Sequence, residues 1–459
     1  MDLYLQLATS NKQQFTISIT GSKSETNRLL LLQALYGNLS LENVSNSDDS
    51  EVMMEALTQN PKPYTLQTIN INHAGTAMRF LTAYFALKEG SEVELTGSSR
   101  MKERPIGILV DALNQLGADI SYTEKDGFPP IKIKGKKLNQ RKVSLPANVS
   151  SQYISALLLI APKLENGLEL KLEGEITSIP YIKMTLALLN KIGVETSFEN
   201  NTIKVNAKSN TKHPTLITIE SDWSSASYYY SIVALSEIGT QLTLSSYKQN
   251  SLQGDAALVE IYKDFGVETV FNSNNTITIT KLKTDSFQPS ISASSPSPLD
   301  GVGESFAYNL NNSPDLAQTV AVTCFGLGIG CHLTGLHTLK IKETDRLGAL
   351  KIELTKLGAS IAVTNDSLNL QPTALHSFPL QGFEKSGVDF PSNEDSLSKS
   401  PTSSVNPAIA TYQDHRMAMA FAPLALKMPI IIQDAKVVSK SYPTFWNDLK
   451  TIGFNITEI

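Results

Sequence analysis

The chain has 459 residues, 41% of them hydrophobic, which is enough length for more than one domain of the usual size of about 100–200 residues. A formal net charge of −5 and a pI near 5.8 supply no global positive field, so nucleic acid and anionic membrane are not expected partners. The apolar runs fall short of the roughly 20 residues of a membrane span. Residues 1–8, MDLYLQLA, carry neither a basic n-region nor a cleavage pattern, so the cytoplasm is the expected location.

A strand-like segment, Leu3 to Ala8, comes first. Apolar helical stretches then open, one after another, on polar residues. The polar segment Ser22 to Arg28 leads into Leu29 to Leu35, His73 to Arg79 into Phe80 to Ala86, and Ser150 to Tyr153 into Ile154 to Ala161. Farther on, Asp222 to Ser225 leads into Ala226 to Leu235, Pro314 to Gln318 into Thr319 to Leu327, and Asp414-His415-Arg416 into Met417 to Phe421. Each start sets free backbone N–H groups and polar side chains at one helix mouth, an arrangement suited to anions. Amphipathic stretches alternate with these and end on Gly117, Gly193, Gly266, Gly358 and Gly453. Each of these glycines reads as a residue just past a helix end, where the chain turns back into a strand.

The repeat is thus one buried helix, one half-exposed helix and several strands, taken six times with three units per domain. Two tracts, 283–313 and 384–406, contain the Ser/Pro-rich runs 292–298 and 396–404 and read as surface insertions too poor in large apolar residues to form a core. The expected domains are residues 10–239 and 240–459, the second completed by the strand at 1–9.

Several residues carry ordinary readings. Cys324 and Cys331 lack ligand-spaced neighbours and read as small core side chains rather than a metal site. No Walker-type or dinucleotide-type glycine loop opens a helix, and Gly301-Val302-Gly303 sits in an insertion, so ATP and dinucleotides are not expected ligands. Asp48, Asp49 and Glu51 read as a solvated polar loop, and Tyr228, Tyr229 and Tyr230 as core packing. His415 reads as a group that orients its neighbours. By contrast, Lys23, Arg28, Arg79, Arg104, Arg346, Arg416 and Lys440 all fall at or beside helix starts. That distribution points to small-molecule anionic substrates with more than one charged group.

The segments Gly21 to Arg28, Ala74 to Arg79, Arg100 to Gly107, Ser150 to Gln152, Pro314 to Gln318, Lys342 to Leu347, Asp414 to Ala420 and Ser439 to Pro443 run in order along nearly the whole chain. Together they resemble the 5-enolpyruvylshikimate-3-phosphate synthase family. The resemblance implies a two-domain inside-out α/β barrel of the enolpyruvyl transferase type, with six repeated βαβαββ units, three per domain, closing over the substrates. It also implies transfer of the enolpyruvyl group of phosphoenolpyruvate to the 5-hydroxyl of shikimate 3-phosphate, with phosphate released and neither metal nor organic cofactor required. A monomer is expected.

By the same resemblance, shikimate 3-phosphate meets Lys23, Ser24, Arg28, Ser150, Ser151, Gln152, Ser178, Asp315 and Lys342. Phosphoenolpyruvate meets Lys23, Gly75, Arg104, Gln152, Arg346, Arg416 and Lys440. Asp315 is the candidate base for the attacking hydroxyl, and Glu343 the candidate for proton transfer at the methylene, with Lys23 the alternative acid. Read locally, Asp315 could instead cap a helix after Pro314, Glu343 could complement a helix dipole, and Ser22 with Glu25 matches a capping box. His73, Ile179 and Thr338 depart from the usual family residues. Three rivals stand beside this reading. A UDP-N-acetylglucosamine enolpyruvyl transferase would carry a reactive cysteine in the segment Arg100 to Gly107, which has none. An RNA 3′-terminal phosphate cyclase would need a basic surface, and a non-catalytic anion-binding protein would not need the acids.

Overall fold

The computed structural model describes residues 1–7, 15–59, 65–147, 150–174, 176, 179–207, 215–283, 305–373 and 406–459. Both Ser/Pro runs, Gly301, Gly303 and Ser178 lie outside the described residues. The six polar-fronted stretches are the helices Lys23–Tyr36, Gly75–Leu87, Ser151–Ile160, Trp223–Leu235, Ala317–Leu327 and His415–Phe421. The last five are buried almost all round, as expected for helices that are apolar on every face. They pack in two groups of three, the first three together and the last three together. Strands such as Glu92–Thr96 and Ile277–Lys281 alternate buried with more exposed residues, so their sheets turn one face to these helices and one outward.

Five sheets have four strands, and all five repeat one pattern. Leu66–Asn70 runs parallel to Glu92–Thr96, which is antiparallel to Ile131–Lys134, itself antiparallel to Asp119–Tyr122. A parallel pair needs a long crossover, and the buried helix Gly75–Leu87 supplies it here. The antiparallel pair follows the second, amphipathic helix. Its chain reversal uses the terminal glycine, with φ of 100° at Gly117, 80° at Gly193, 75° at Gly266, 86° at Gly358 and 101° at Gly453. The sixth sheet has two strands among the described residues, Leu39–Glu42 parallel to Thr215–Thr218.

Two exchanges tie the halves together. The N-terminal strand Leu3–Leu7 lies between Ile430–Ile432 and Phe454–Glu458, antiparallel to both, with Leu5 opposite Ile430 and Ile456. The strand Phe15–Ile17, just before the first buried helix, pairs with Gln241–Leu244, which follows the fourth. Its counterpart Thr215–Thr218 pairs with Leu39–Glu42, which follows the first. The chain therefore changes halves twice, and the two crossing segments touch at the antiparallel bridge between Gly21 and Ser221. Ser22 N donates to Glu220 O at 2.8 Å and Asp222 N to Thr20 O at 3.2 Å. A side chain at Gly21 would come within 1.8 Å of the Asn43 carbonyl oxygen, so this crossing admits glycine alone.

The cores divide accordingly. One contains buried residues from Leu29 to Ile219; the other contains Leu3 to Ile19 and Trp223 to Ile456. The expected boundary after residue 239 is corrected by this, because the helix Trp223–Leu235 packs into the second core. Tyr228, Tyr229, Tyr230, Cys324 and Cys331 are all buried there. The Ser22 side chain makes no capping bond, so the capping box is not formed. Glu25 is instead buried beside the crossing, where loss of water pushes its carboxyl up to about 7. Among the described residues no helix is long and apolar enough to cross a membrane.

Because Leu5 is fully buried in the middle of a sheet built from both chain ends, Leu5→Ala should cost about 2–5 kcal/mol. Urea unfolding of the purified variant against the parent chain measures the loss.

Candidate active site

Five of the six buried-helix starts line one cleft between the halves, of about 1080 Å³ with its open mouth included. The first half supplies Lys23, Ser24 and Arg28 from one start, Gly75, Thr76 and Arg79 from the next, and Ser150, Ser151, Gln152 and Tyr153 from the third. Arg104 and Tyr181 join them. From the second half come Asp315, Thr338, Lys342, Glu343, Arg346, His415 and Arg416. Each helix mouth contributes roughly half a positive charge to this space. The sixth start reaches the cleft indirectly, through Ser224, whose hydroxyl accepts from Arg416 Nη2 at 3.3 Å.

The first-half cations are held mostly by neutral groups. Arg28 donates to Thr185 Oγ1 at 2.8 Å, Ser24 O at 2.7 Å and Ser155 Oγ at 2.9 Å. Burial pushes its guanidinium down to about 10, a sign that water has been stripped away without full compensation. Arg79 donates to Gly75 O and Pro105 O, and burial followed by the neighbouring Arg104 lowers it likewise to about 10. Gly75 leaves room for Arg104: a β-carbon there would lie 2.6 Å from Arg104 Nη1. The guanidinium therefore lies directly across the start of the helix Gly75–Leu87. Gln152 Nε2 donates to Thr76 Oγ1 at 3.2 Å, and Ser150 caps its helix by accepting from Gln152 N.

The second half is organised around one guanidinium. Arg346, 2% exposed, donates from Nε to Asp414 at 2.7 Å, from Nη1 to Asp315 at 2.8 Å and from Nη2 to Glu343 at 2.8 Å. Asp315 also receives Arg416 Nη2 at 3.0 Å and has Lys342 Nζ at 3.7 Å. Burial alone would raise the Asp315 carboxyl, but Arg416, Lys342 and Arg346 outweigh it and hold the group well below its usual range. Glu343 is depressed in the same way, with Arg346 and Arg104 overcoming burial. Both acids are ionised at neutral pH. His415 is buried, and burial together with Lys23 and Arg416 keeps its ring neutral.

These contacts decide between the local readings. Asp315 is not a cap: Leu316 holds the cap position of the helix Ala317–Leu327, and the Asp315 oxygens go to arginines. Glu343 stands before Asp345, the true cap of the helix Arg346–Lys356, and pairs with Arg346. The solvated-loop reading of Asp48 and Asp49 is corrected. Both begin the helix Asp48–Thr58; Asp49 is buried against Lys23 at 3.4 Å and lines the cleft. Asp48 accepts from Ser439 Oγ at 2.6 Å across the two halves. Only packing against Lys23 and Ser439, from distant parts of the chain, reveals this.

Lys440 does not line the cleft wall; it sits at the rim, donating to Gln413 O at 2.7 Å and lowering His73 electrostatically. Tyr181 and Arg79 line the cleft without having been assigned a ligand. The cationic pattern could have pointed to Arg79, since it shares a helix start with Gly75. Ser178 lies outside the described residues.

Three-sheet halves wrapped around buried helices, with a cation-rich cleft between them, define an enolpyruvyl transferase-like α/β protein. The family model for EPSP synthase (3-phosphoshikimate 1-carboxyvinyltransferase) matches residues 59–449. A 3-phosphoshikimate 1-carboxyvinyltransferase of Bacteroides fragilis (strain YCH46) is 42% identical over 453 residues, covering 98% of each chain. One of Haemophilus influenzae (strain ATCC 51907) is 34% identical over 475 residues, again with 98% coverage of both. The solved EPSP synthase of Acinetobacter baumannii shares the fold with a TM-score of 0.71 at 20% identity, over 100% of both chains. The chain belongs to the EPSP synthase family.

Removing Arg346 leaves buried carboxylates short of their counter-charge, so Arg346→Met should cost about 3–5 kcal/mol at pH 7. Asp315 and Glu343 have depressed pKa values in the folded chain. Their stabilisation is therefore present above the unfolded values of about 3.9–4.3 and is lost as pH falls below them. Denaturant titrations should show the gap between variant and parent narrowing below about pH 4.

Proposed function

We propose that this cleft transfers the enolpyruvyl group of phosphoenolpyruvate to the 5-hydroxyl of shikimate 3-phosphate and releases phosphate, working as a cytoplasmic monomer. The observation that carries the residue assignment is the Arg346 cluster: two ionised acids, Asp315 and Glu343, fixed by one guanidinium in a cleft lined by cations from both halves. One chain supplies both walls, so no second copy is needed to complete the site.

Shikimate 3-phosphate sits against Lys23, Ser24, Arg28, Ser150, Ser151, Gln152 and Lys342, with Ser178 beside them, and its 5-hydroxyl faces Asp315. Phosphoenolpyruvate sits against Lys23, the Gly75 backbone, Arg104, Gln152, Arg346, Arg416 and Lys440. Arg346 uses three of its five N–H hydrogens on carboxylates, which leaves two for the donor. As the hydroxyl oxygen bonds to the central carbon of phosphoenolpyruvate, its proton passes to Asp315. The methylene carbon gains a proton, for which the Lys23 ammonium is the better source because Glu343 is ionised. Phosphate then departs, and the methyl group returns a proton to restore the double bond. The ionised Glu343 is suited to receive it. Positioning two polyanions against fixed cations supplies much of the acceleration.

A coupled phosphate-release assay tests the function: release with both substrates and none with either alone is the expected result. No release from folded protein would overturn the reading. Asp315→Asn and Glu343→Gln should each lower kcat by about 10²-fold or more while substrate binding changes far less. Near-normal turnover in either would remove that residue from the proton steps.

A further inference from the structure

Glu353 lies on the helix Arg346–Lys356, two turns beyond Arg346 and outside the cleft wall. Its side chain is fully buried, yet it is closely bonded. Oε1 accepts from the Tyr412 phenol at 2.5 Å, Oε2 accepts from Ala410 N at 3.3 Å, and Lys356 Nζ donates to both oxygens at 2.8 and 2.9 Å. Two of these bonds reach the segment that leads directly into Asp414-His415-Arg416.

That segment has an uncommon shape. Tyr412 and Gln413 have φ of 53° and 57°, two successive non-glycine residues in the left-handed region, which an L side chain rarely holds without outside support. The turn directs the Gln413 carbonyl to Lys440 Nζ at 2.7 Å. It also delivers Asp414, whose Oδ1 accepts from Arg416 N at 2.8 Å and whose Oδ2 accepts from Arg346 Nε at 2.7 Å. One helix thus grips both sides of the turn, Arg346 after it through Asp414 and Glu353 before it through Ala410 and Tyr412.

We propose that Glu353 is a positioning residue for the phosphoenolpyruvate side of the reaction, holding the turn 410–413 in the form that sets Lys440 and Arg416. This rests on the donor assignment given above. Glu353 touches no reacting atom; it acts through the Tyr412 phenol and the backbone of the turn. Its signature is a selective effect, since the acceptor groups Ser24, Arg28, Ser150 and Ser151 belong to the other half and do not depend on this turn.

Steady-state kinetics of Glu353→Gln and Tyr412→Phe, both checked for folding by thermal melting, test the proposal. Glu353→Gln should raise KM for phosphoenolpyruvate by about tenfold and leave KM for shikimate 3-phosphate within about twofold. Tyr412→Phe should move the same constant in the same direction, and the double variant should add little, because both changes break one contact. Should Glu353→Gln fail to fold, Tyr412→Phe decides alone, since it deletes a single hydroxyl. Unchanged donor KM in the folded variants, or equal rises for both substrates, would overturn the positioning role. If the parent chain released no phosphate at all, the function would fall first, and that result is distinct from active variants matching an active parent.

Discussion

One guanidinium shared by three carboxylates is the constraint on which the second half of the cleft depends. Arg346 is buried with Asp315, Glu343 and Asp414, and Arg416 and Lys342 add the further positive charges that Asp315 needs. Three acids face three cations there, so this wall is close to neutral. The first half differs: Lys23 pairs with Asp49, whereas Arg28 and Arg79 are held largely by neutral oxygens. The uncompensated charge of the cleft is therefore concentrated on one wall, where two anionic substrates would supply what the protein lacks. Placing the proton-handling acids on the balanced wall and the spare cations opposite separates chemistry from binding.

The fold makes this division possible. Buried helices point their mouths at a common space while the sheets carry the outer surface, so polar side chains from sequentially distant units meet without long loops. Exchange of the strands around Gly21 and Ser221 links the halves by two crossing segments alone, side by side. Additional contacts at the cleft mouth are few and polar, such as Ser439 with Asp48 and Arg100 with the Lys342 carbonyl. A narrow crossing with polar rim contacts is a geometry in which one half can turn relative to the other at small cost in buried apolar surface.

Much of this was legible in the chain. The polar residues before each apolar run, and the glycines after each amphipathic run, are local signals: a helix mouth needs polar groups near its first turn, and a left-handed turn favours glycine. The order of eight motifs along the chain then specified the family. Charged residues at helix starts located most of the cleft, because a helix start has only one place to point once its apolar body is buried.

What the tertiary structure alone decided is the set of relations that no local pattern encodes. Asp49 looks like a surface acid until Lys23 is packed against it, and Glu353 like an ordinary helix residue until the turn at Tyr412 arrives. The boundary near Gly21 and Ser221 could not be read from periodicity, since strands before one helix pair with strands after another far along the chain. Nor could Ser22 and Glu25 reveal that their capping pattern would be displaced by burial at the crossing. The sequence by itself determined the elements, their repeat and the chemical types at their ends, because these follow from short-range sterics and polarity. Which charges meet, and which are left without partners, is set by long-range packing.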